Sequence, residues 1–216
     1  MNRRARLWCA VALMVVVPVL TACGSSAPPT TTTTAPAPTT TLSPSEAAAL
    51  QPLLLTTADF PAGWREDAQA NAADTAGIPS CLADLVAVHG ATDRADVVFI
   101  GPGEVPAAVI QTVASWSPRA ATRSVAVLRS DFYACNGRTI AVGKVDTGVR
   151  IRSIPNPATG GRGFTAQMVL TAGKSRSYLD VFYAVVDGHA TFVGWQAESP
   201  STVEFLQLTA AALAKL

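Results

Sequence analysis

Beyond residue 138 the chain reads as strand after strand. Thr139 to Val145 and Val149 to Ile154 read as strands, and Asp146-Thr147-Gly148 between them reads as a turn. A Pro/Gly-rich loop, Pro155 to Gly163, leads to two further strands, Phe164 to Thr171 and Ser177 to Val186, joined across Ala172-Gly173-Lys174. The sharpest signal is Asp187-Gly188 between two long apolar runs, the residue pair that a two-residue type I′ hairpin demands because both central positions take a positive φ. Counting outward from it pairs Tyr183 with Phe192 and Phe182 with Val193. Both faces of these two strands carry apolar residues, so the hairpin is expected in the middle of a sheet, with helices packed on it.

Upstream the period changes. Ser43-Pro44-Ser45-Glu46 has the form of a capping box with proline at the first helical position, and the helix it opens, AAALQPLLL, should stop or kink near Pro52. Leu55 to Trp64 reads as extended or turn-rich, and Asp67 to Gly77 as a polar loop. Ser80 is placed to cap a short helix over Cys81 to His89 that ends at Gly90. Asp96 to Ile100 and Val109 to Trp116 read as strands on either side of the turn Gly101-Pro102-Gly103. Ser117-Pro118 starts a helix that runs through Ala134 and closes at Asn136-Gly137, with Val125, Leu128, Phe132 and Cys135 at helical spacing on one face. A second capping box, Ser201-Thr202-Val203-Glu204, opens a terminal helix whose buried side is expected to carry Val203, Leu206, Ala210 and Leu213. The sum is one α+β domain over residues 43–216: an antiparallel sheet of five to seven strands with a few helices packed on it.

The N-terminus follows a different pattern. Arg3, Arg4 and Arg6 precede an apolar run from Leu7 to Leu20 that is shorter than the roughly 20 residues a spanning helix needs and is interrupted by Pro18. This is the form of a secretory signal, residues 1–22. Its end, Leu20-Thr21-Ala22-Cys23-Gly24, resembles the lipobox of bacterial lipoproteins. That resemblance implies cleavage before Cys23 and attachment of a diacylglyceryl group to its sulfur. Two or three acyl chains on one residue hold a protein at a membrane surface, since each buried CH₂ contributes about 0.8 kcal/mol and one chain alone binds reversibly. The expected location is the outer face of the cell membrane. Residues 24–42, GSSAPPTTTTTAPAPTTTL, carry no charge and almost no bulky side chain, so they cannot bury enough surface to order themselves. Proline bias extends such a tether to roughly 60 Å.

Charge narrows the partners. The full chain has 16 basic and 15 acidic residues; losing three arginines with the signal leaves thirteen against fifteen. No basic surplus exists to neutralise phosphates, which argues against nucleic acid as a partner. The four cysteines divide by position: Cys9 leaves with the signal, Cys23 takes lipid, and Cys81 and Cys135 remain, 54 positions apart, in a compartment that permits disulfides. A bridge closing that loop contributes about 4 kcal/mol.

The chemistry of a reaction is hard to find. There is no G-x-S-x-G elbow, no H-x-x-x-H and no C-x-x-C, so neither a hydrolase triad nor a metal site is expected, and no cofactor is implied. His89 stands at a predicted helix end and His189 just after the hairpin turn, both ordinary structural positions. Gly160-Gly161-Arg162-Gly163 lacks the Lys-Ser/Thr of a phosphate loop and precedes a strand, so it reads as an inter-strand loop. Asp180 is the odd residue, a carboxylate inside an apolar strand, expected near the sheet edge or beside an arginine. Trp64, Trp116, Trp195, Tyr133, Tyr178 and Tyr183 serve either as core or as the lining of a cleft.

Lipobox Cys23, the Thr/Pro tether, the segment ending Asp59-Phe60-Pro61-Ala62-Gly63-Trp64 and the preference for arginine over lysine (13 against 3) resemble actinobacterial envelope lipoproteins. The helix ending Ala134-Cys135-Asn136-Gly137, followed by antiparallel strands and a terminal helix, is similar to the extracellular sensor domains of mycobacterial receptor-type serine/threonine kinases. The likeness covers about residues 80–216 and departs in having one cysteine pair where some of those domains have two. It implies a pocket or groove for an unidentified ligand, not a reaction; the expected role is a non-catalytic binding or sensor module for a small envelope molecule or a partner protein. The competing expectations are an envelope hydrolase using Asp180, or a serine with His189, and a scaffold for protein partners alone.

Overall fold

The computed structural model describes residues 44–70, 93–104, 106–115, 118–142, 145–157, 162–199 and 201–216, all within one compact unit, Leu42–Leu216. Among these residues the chain forms eight strands and three α-helices: α1 (Pro44–Leu50), β1 (Arg65–Glu66), β2 (Asp93–Ile100), β3 (Ala108–Ser115), α2 (Pro118–Ala134), β4 (Thr139–Val142), β5 (Val145–Ser153), β6 (Gly163–Ala172), β7 (Ser175–Val186), β8 (His189–Ala197) and α3 (Thr202–Ala214). The strands make a single antiparallel sheet in the order β1-β2-β3-β8-β7-β6-β5-β4. The α+β class stands, and the count of strands exceeds the five to seven read from sequence. The excess is β1, only two residues long; a second difference, a break placed in the wrong spot, shifts strand ends without changing the count.

That break is instructive. Asp146-Thr147-Gly148 is no turn: β5 runs unbroken through it, and Val142 pairs with Val145 at the end of β4. Thr147 is buried in the strand, and Gly148 pairs with both Thr139 and Thr171. A pleated ladder with a partner on either side satisfies the backbone of a glycine that, in isolation, signals a turn. Likewise the strand read from Asp96 begins at Asp93.

The central hairpin is built as its sequence dictates. Asp187 has φ 46° and Gly188 φ 85°, and the register pairs Tyr183 with Phe192 and Phe182 with Val193. β7 and β8 hold the two middle positions between β6 and β3. Alternation then sends side chains to two separate cores. Val181, Tyr183, Val185 and Phe192 meet Leu128 and Phe132 of α2, and Cys135 just past its end, on one face. Phe182, Ala184, Val193 and Trp195 meet Leu50, Leu54, Leu55 and Phe60 from the N-terminal segment and Phe205, Leu208 and Ala212 of α3 on the other.

Pro52 acts as expected, since α1 ends at Leu50 and the chain passes into a 3₁₀ turn, Gln51–Leu53. The backbone groups this break releases find a partner that periodicity does not reveal. Gln111 of β3, fully buried, accepts from the Leu55 amide and donates to the Leu53 carbonyl at 3.4 Å and the Thr191 hydroxyl at 3.2 Å. A second 3₁₀ turn, Thr57–Asp59, carries a capping box made by Thr56 and Asp59.

The terminal helix departs from its predicted face. Phe205, Leu208, Thr209 and Ala212 are buried, while Val203 is 69% exposed. The helix is apolar nearly all round, so Phe205, its largest side chain, selects the buried stripe rather than the average pattern. Ser201 stands at the N-cap but makes no side-chain capping bond there.

Candidate functional site

α2 presents two adjacent stripes. Leu128 and Phe132, with Cys135 just beyond the helix, enter the core; the neighbouring stripe, Val125, Arg129 and Tyr133 at four-residue spacing, lies beside it. With Ala126 and Ser130 this second stripe forms one wall of a groove of about 710 Å³. The opposite wall is Ser153, the last residue of β5, and Arg162 and Gly163 at the start of β6. The Val185 amide donates to the Arg162 carbonyl at 2.9 Å, which fixes the backbone from which the Arg162 side chain projects into the open. Gly163 is required where it stands, because a Cβ there would lie 2.5 Å from the Tyr183 carbonyl oxygen. Arg129 is exposed, with its guanidinium carbon 5.9 Å from the centre of the half-buried Tyr133 ring, within cation–π range. Tyr133 is backed in turn by Phe132 and Phe164.

A volume near 700 Å³ with an apolar wall and a few polar groups has the dimensions of a small-molecule site. A smaller depression of about 220 Å³ lies between Leu54–Thr57 and β1–β2. It includes Glu66 and Asp96, but the Asp96 carboxylate already accepts from Arg94 at 2.8 Å and Thr112 at 2.6 Å. The described residues bring no three His, Cys, Asp or Glu side chains together in a way that would hold a metal.

The residues singled out from the sequence are scattered. Asp180 is not at a sheet edge: it lies in central β7, 3% exposed, and accepts from Gln167 at 2.7 Å. Arg152 donates to that same Gln167 at 2.9 Å, so the arginine reaches the carboxylate through an amide. Burial raises the Asp180 pKa above its ordinary value; the Gln167 hydrogen bond and the charge of Arg152 oppose the rise. His189 pairs across strands with Ser115, whose hydroxyl is 3.5 Å from Nδ1, and neither residue lines the groove. Asp180 faces Trp195 and His189 faces Val186, six positions apart along β8, so carboxylate and imidazole stand roughly 20 Å from each other. The two cannot act on one bond.

The aromatic residues divide in the same way. Trp64 and Trp195 meet edge to face at 5.6 Å within the core under α1 and α3, while Tyr183 is fully buried in the opposite core. Among the described residues they do not gather around a cleft, and of this set Tyr133 lines one. Cys9, Cys23, Cys81, His89, Trp116, Gly160 and Gly161, the signal, the tether and the Cys81–His89 helix lie outside the described residues. The sequence signals that mark the groove were present but unread: a four-residue repeat flanking the apolar face of α2, and the arginine of the Gly160–Gly163 segment.

No family model matches the chain, and no curated protein does. Among solved structures, the chain is similar to the extracellular domain of PknH from Mycobacterium tuberculosis, with a TM-score of 0.58 and 15% identity, over 81% of this chain and 96% of that one. The likeness is one of fold, and it meets the fold-level resemblance read from the sequence.

Proposed function

We propose that the chain is a lipid-anchored envelope protein whose folded part is a non-catalytic, sensor-like module that binds a ligand outside the cytoplasm. The observation that carries this reading is the groove between α2 and the β5–β6 ends, an open site of small-molecule size with no paired acid and base among its described lining residues. Two further features support it. The fold is shared with a domain described as extracellular. No described helix is long and apolar enough to cross a membrane, and the lipobox-like Leu20-Thr21-Ala22-Cys23 supports attachment through Cys23.

In this reading residues 1–22 are removed, Cys23 carries the lipid, residues 23–42 form the tether, and residues 43–216 form the module. Cys81 and Cys135 pair in it. Cys135 is buried just past the end of α2 and its sulfur is engaged, as a structural bridge in this core requires. A leash of roughly 60 Å lets the groove sample the layer above the membrane.

Native mass spectrometry of the protein purified from an actinobacterial envelope tests the reading. A retained small molecule, and palmitate label that Cys23→Ala removes, are expected. An adduct-free protein that turns over a generic ester, with turnover abolished by His189→Ala, would make it a hydrolase instead.

A further inference from the structure

Among the described residues, the wall of the groove carries two cations and no carboxylate. Arg129 projects from α2 and Arg162 from the start of β6, on opposite sides, and Ser130 and Ser153 add a hydroxyl on each side. The rest of the described lining is Val125, Ala126, Tyr133 and Gly163. This local excess of positive charge runs against the chain as a whole, which carries thirteen basic residues against fifteen acidic once the signal is gone. Both guanidinium groups are exposed, and no ion pair to a carboxylate of the described residues occupies either of them. Arg129 lies over the Tyr133 ring, which leaves its N–H edge directed elsewhere.

Resting on the proposal that the groove is a ligand site, we infer that its ligand is a small anionic amphiphile: a phosphate or carboxylate group held between Arg129 and Arg162, on an apolar body that lies along Val125, Ala126 and Tyr133. The chemistry follows from the donors. A guanidinium offers paired N–H groups that match two oxygens of one oxyanion, and serine hydroxyls donate to the remaining ones. A bare inorganic ion would leave the apolar wall unfilled, and a neutral apolar molecule would leave two cations to be desolvated for nothing. The ligand that satisfies both surfaces carries its charge at one end.

Isothermal titration of the full chain with hexyl phosphate, hexanol and inorganic phosphate separates the two contributions. Hexyl phosphate is expected to bind at least tenfold more tightly than inorganic phosphate, with no measurable binding of hexanol. Arg129→Ala and Arg162→Ala should each weaken hexyl phosphate at least tenfold, and added salt should weaken it further. Both side chains are exposed, so both variants should keep the wild-type melting temperature, which is checked alongside. Equal binding of hexanol and hexyl phosphate, unchanged affinity in both variants, or no binding of hexyl phosphate at millimolar concentration would overturn the inference. A neutral molecule retained in native mass spectra would overturn the ligand class and leave the binding module standing. Ester turnover lost in His189→Ala would remove the module itself.

Discussion

Under α1 and α3 the sheet is closed by rings. Phe60 stacks on Trp64 at 4.9 Å and on Phe99 at 4.4 Å, Trp64 meets Trp195, and Trp195 meets Phe205 at 6.5 Å. Under α2 the ring contacts are longer, Phe132 to Tyr133 at 5.6 Å, Phe132 to Phe164 at 5.9 Å, Phe164 to Tyr183 at 6.2 Å and Tyr133 to Phe164 at 6.5 Å, and the helix leaves a groove along its flank. The difference reflects how each face is covered. Two separate pieces of chain, the N-terminal segment and the terminal helix, can each settle onto the first face, whereas a single straight helix covers only part of a twisted sheet. The groove opens where covering runs out, beside the face whose rings pack less closely.

The sharpest way to break this comparison is to remove one ring from each core. Phe205→Ala and Phe132→Ala each empty a fully buried site and should cost about 3–5 kcal/mol in urea unfolding. Their effects on the groove should differ. Phe205→Ala acts on the far face and should leave the affinity for a groove ligand unchanged, while Phe132→Ala removes the support of Tyr133 and should weaken it. Equal loss of affinity in both would show that the two faces are not independent.

The polar chain across β5, β6 and β7 offers the next effect. Gln167→Leu strips the buried Asp180 of its donor and should cost about 2–3 kcal/mol at pH 7. The sign with pH follows from the raised pKa of Asp180. The folded protein holds this proton more tightly than the unfolded chain does. Its contribution therefore favours folding at low pH and declines as pH rises from the ordinary value of 3.8 through the folded value. Asp180→Asn keeps an oxygen for Gln167 and should flatten that decline; an unchanged pH profile in urea unfolding would exclude Asp180 as its source.

Gly163→Ala tests the groove wall itself. The added Cβ meets a carbonyl oxygen of β7, which cannot rotate away, so β6 must shift at a cost of roughly 1–3 kcal/mol. Because Gly163 also lines the groove, the shift should lower ligand affinity along with stability. Stability lost with affinity intact would mean that the groove tolerates movement of that wall.

These outcomes bear on what a sequence can disclose. The Asp187-Gly188 hairpin, its register and the central place of β7 and β8 were legible, because the turn needs particular residues and the pairing follows by counting. The exposed side of α3 was not, because an almost wholly apolar helix offers no contrast to read. Gly148 misled for the opposite reason: its local preference for a turn yields to ladder partners contributed by strands that lie on both sides of it. The groove escaped notice because it joins Arg129 and Ser153 to Arg162 across separate elements, and no single periodicity spans them. Gln111 is a similar case, a lone amide in an apolar strand whose use depends on a helix break some sixty residues away.

The smallest expected effect concerns the outer rim of the aromatic face. Lys215, just past α3, lies 3.1 Å from the Asp59 carboxylate, and Asp59 also accepts from the Thr56 amide at 2.7 Å. Partial burial pushes the Asp59 pKa up, but the Thr56 and Lys215 contacts outweigh it and bring the pKa below 3.8. The carboxylate is thus more acidic in the folded protein, and the stability it supplies is present above the unfolded value and lost as pH falls through the folded one. Lys215→Ala should cost no more than about 1 kcal/mol at neutral pH, since the pair is partly solvated. The difference from wild type should shrink in high salt and vanish once the pH has fallen past the folded-state pKa of Asp59, where the carboxylate is protonated in both proteins. A cost that persisted in acid would assign the role of Lys215 to packing of its methylenes against the terminal helix end. The rim of this face would then be held by the same apolar contacts as its centre.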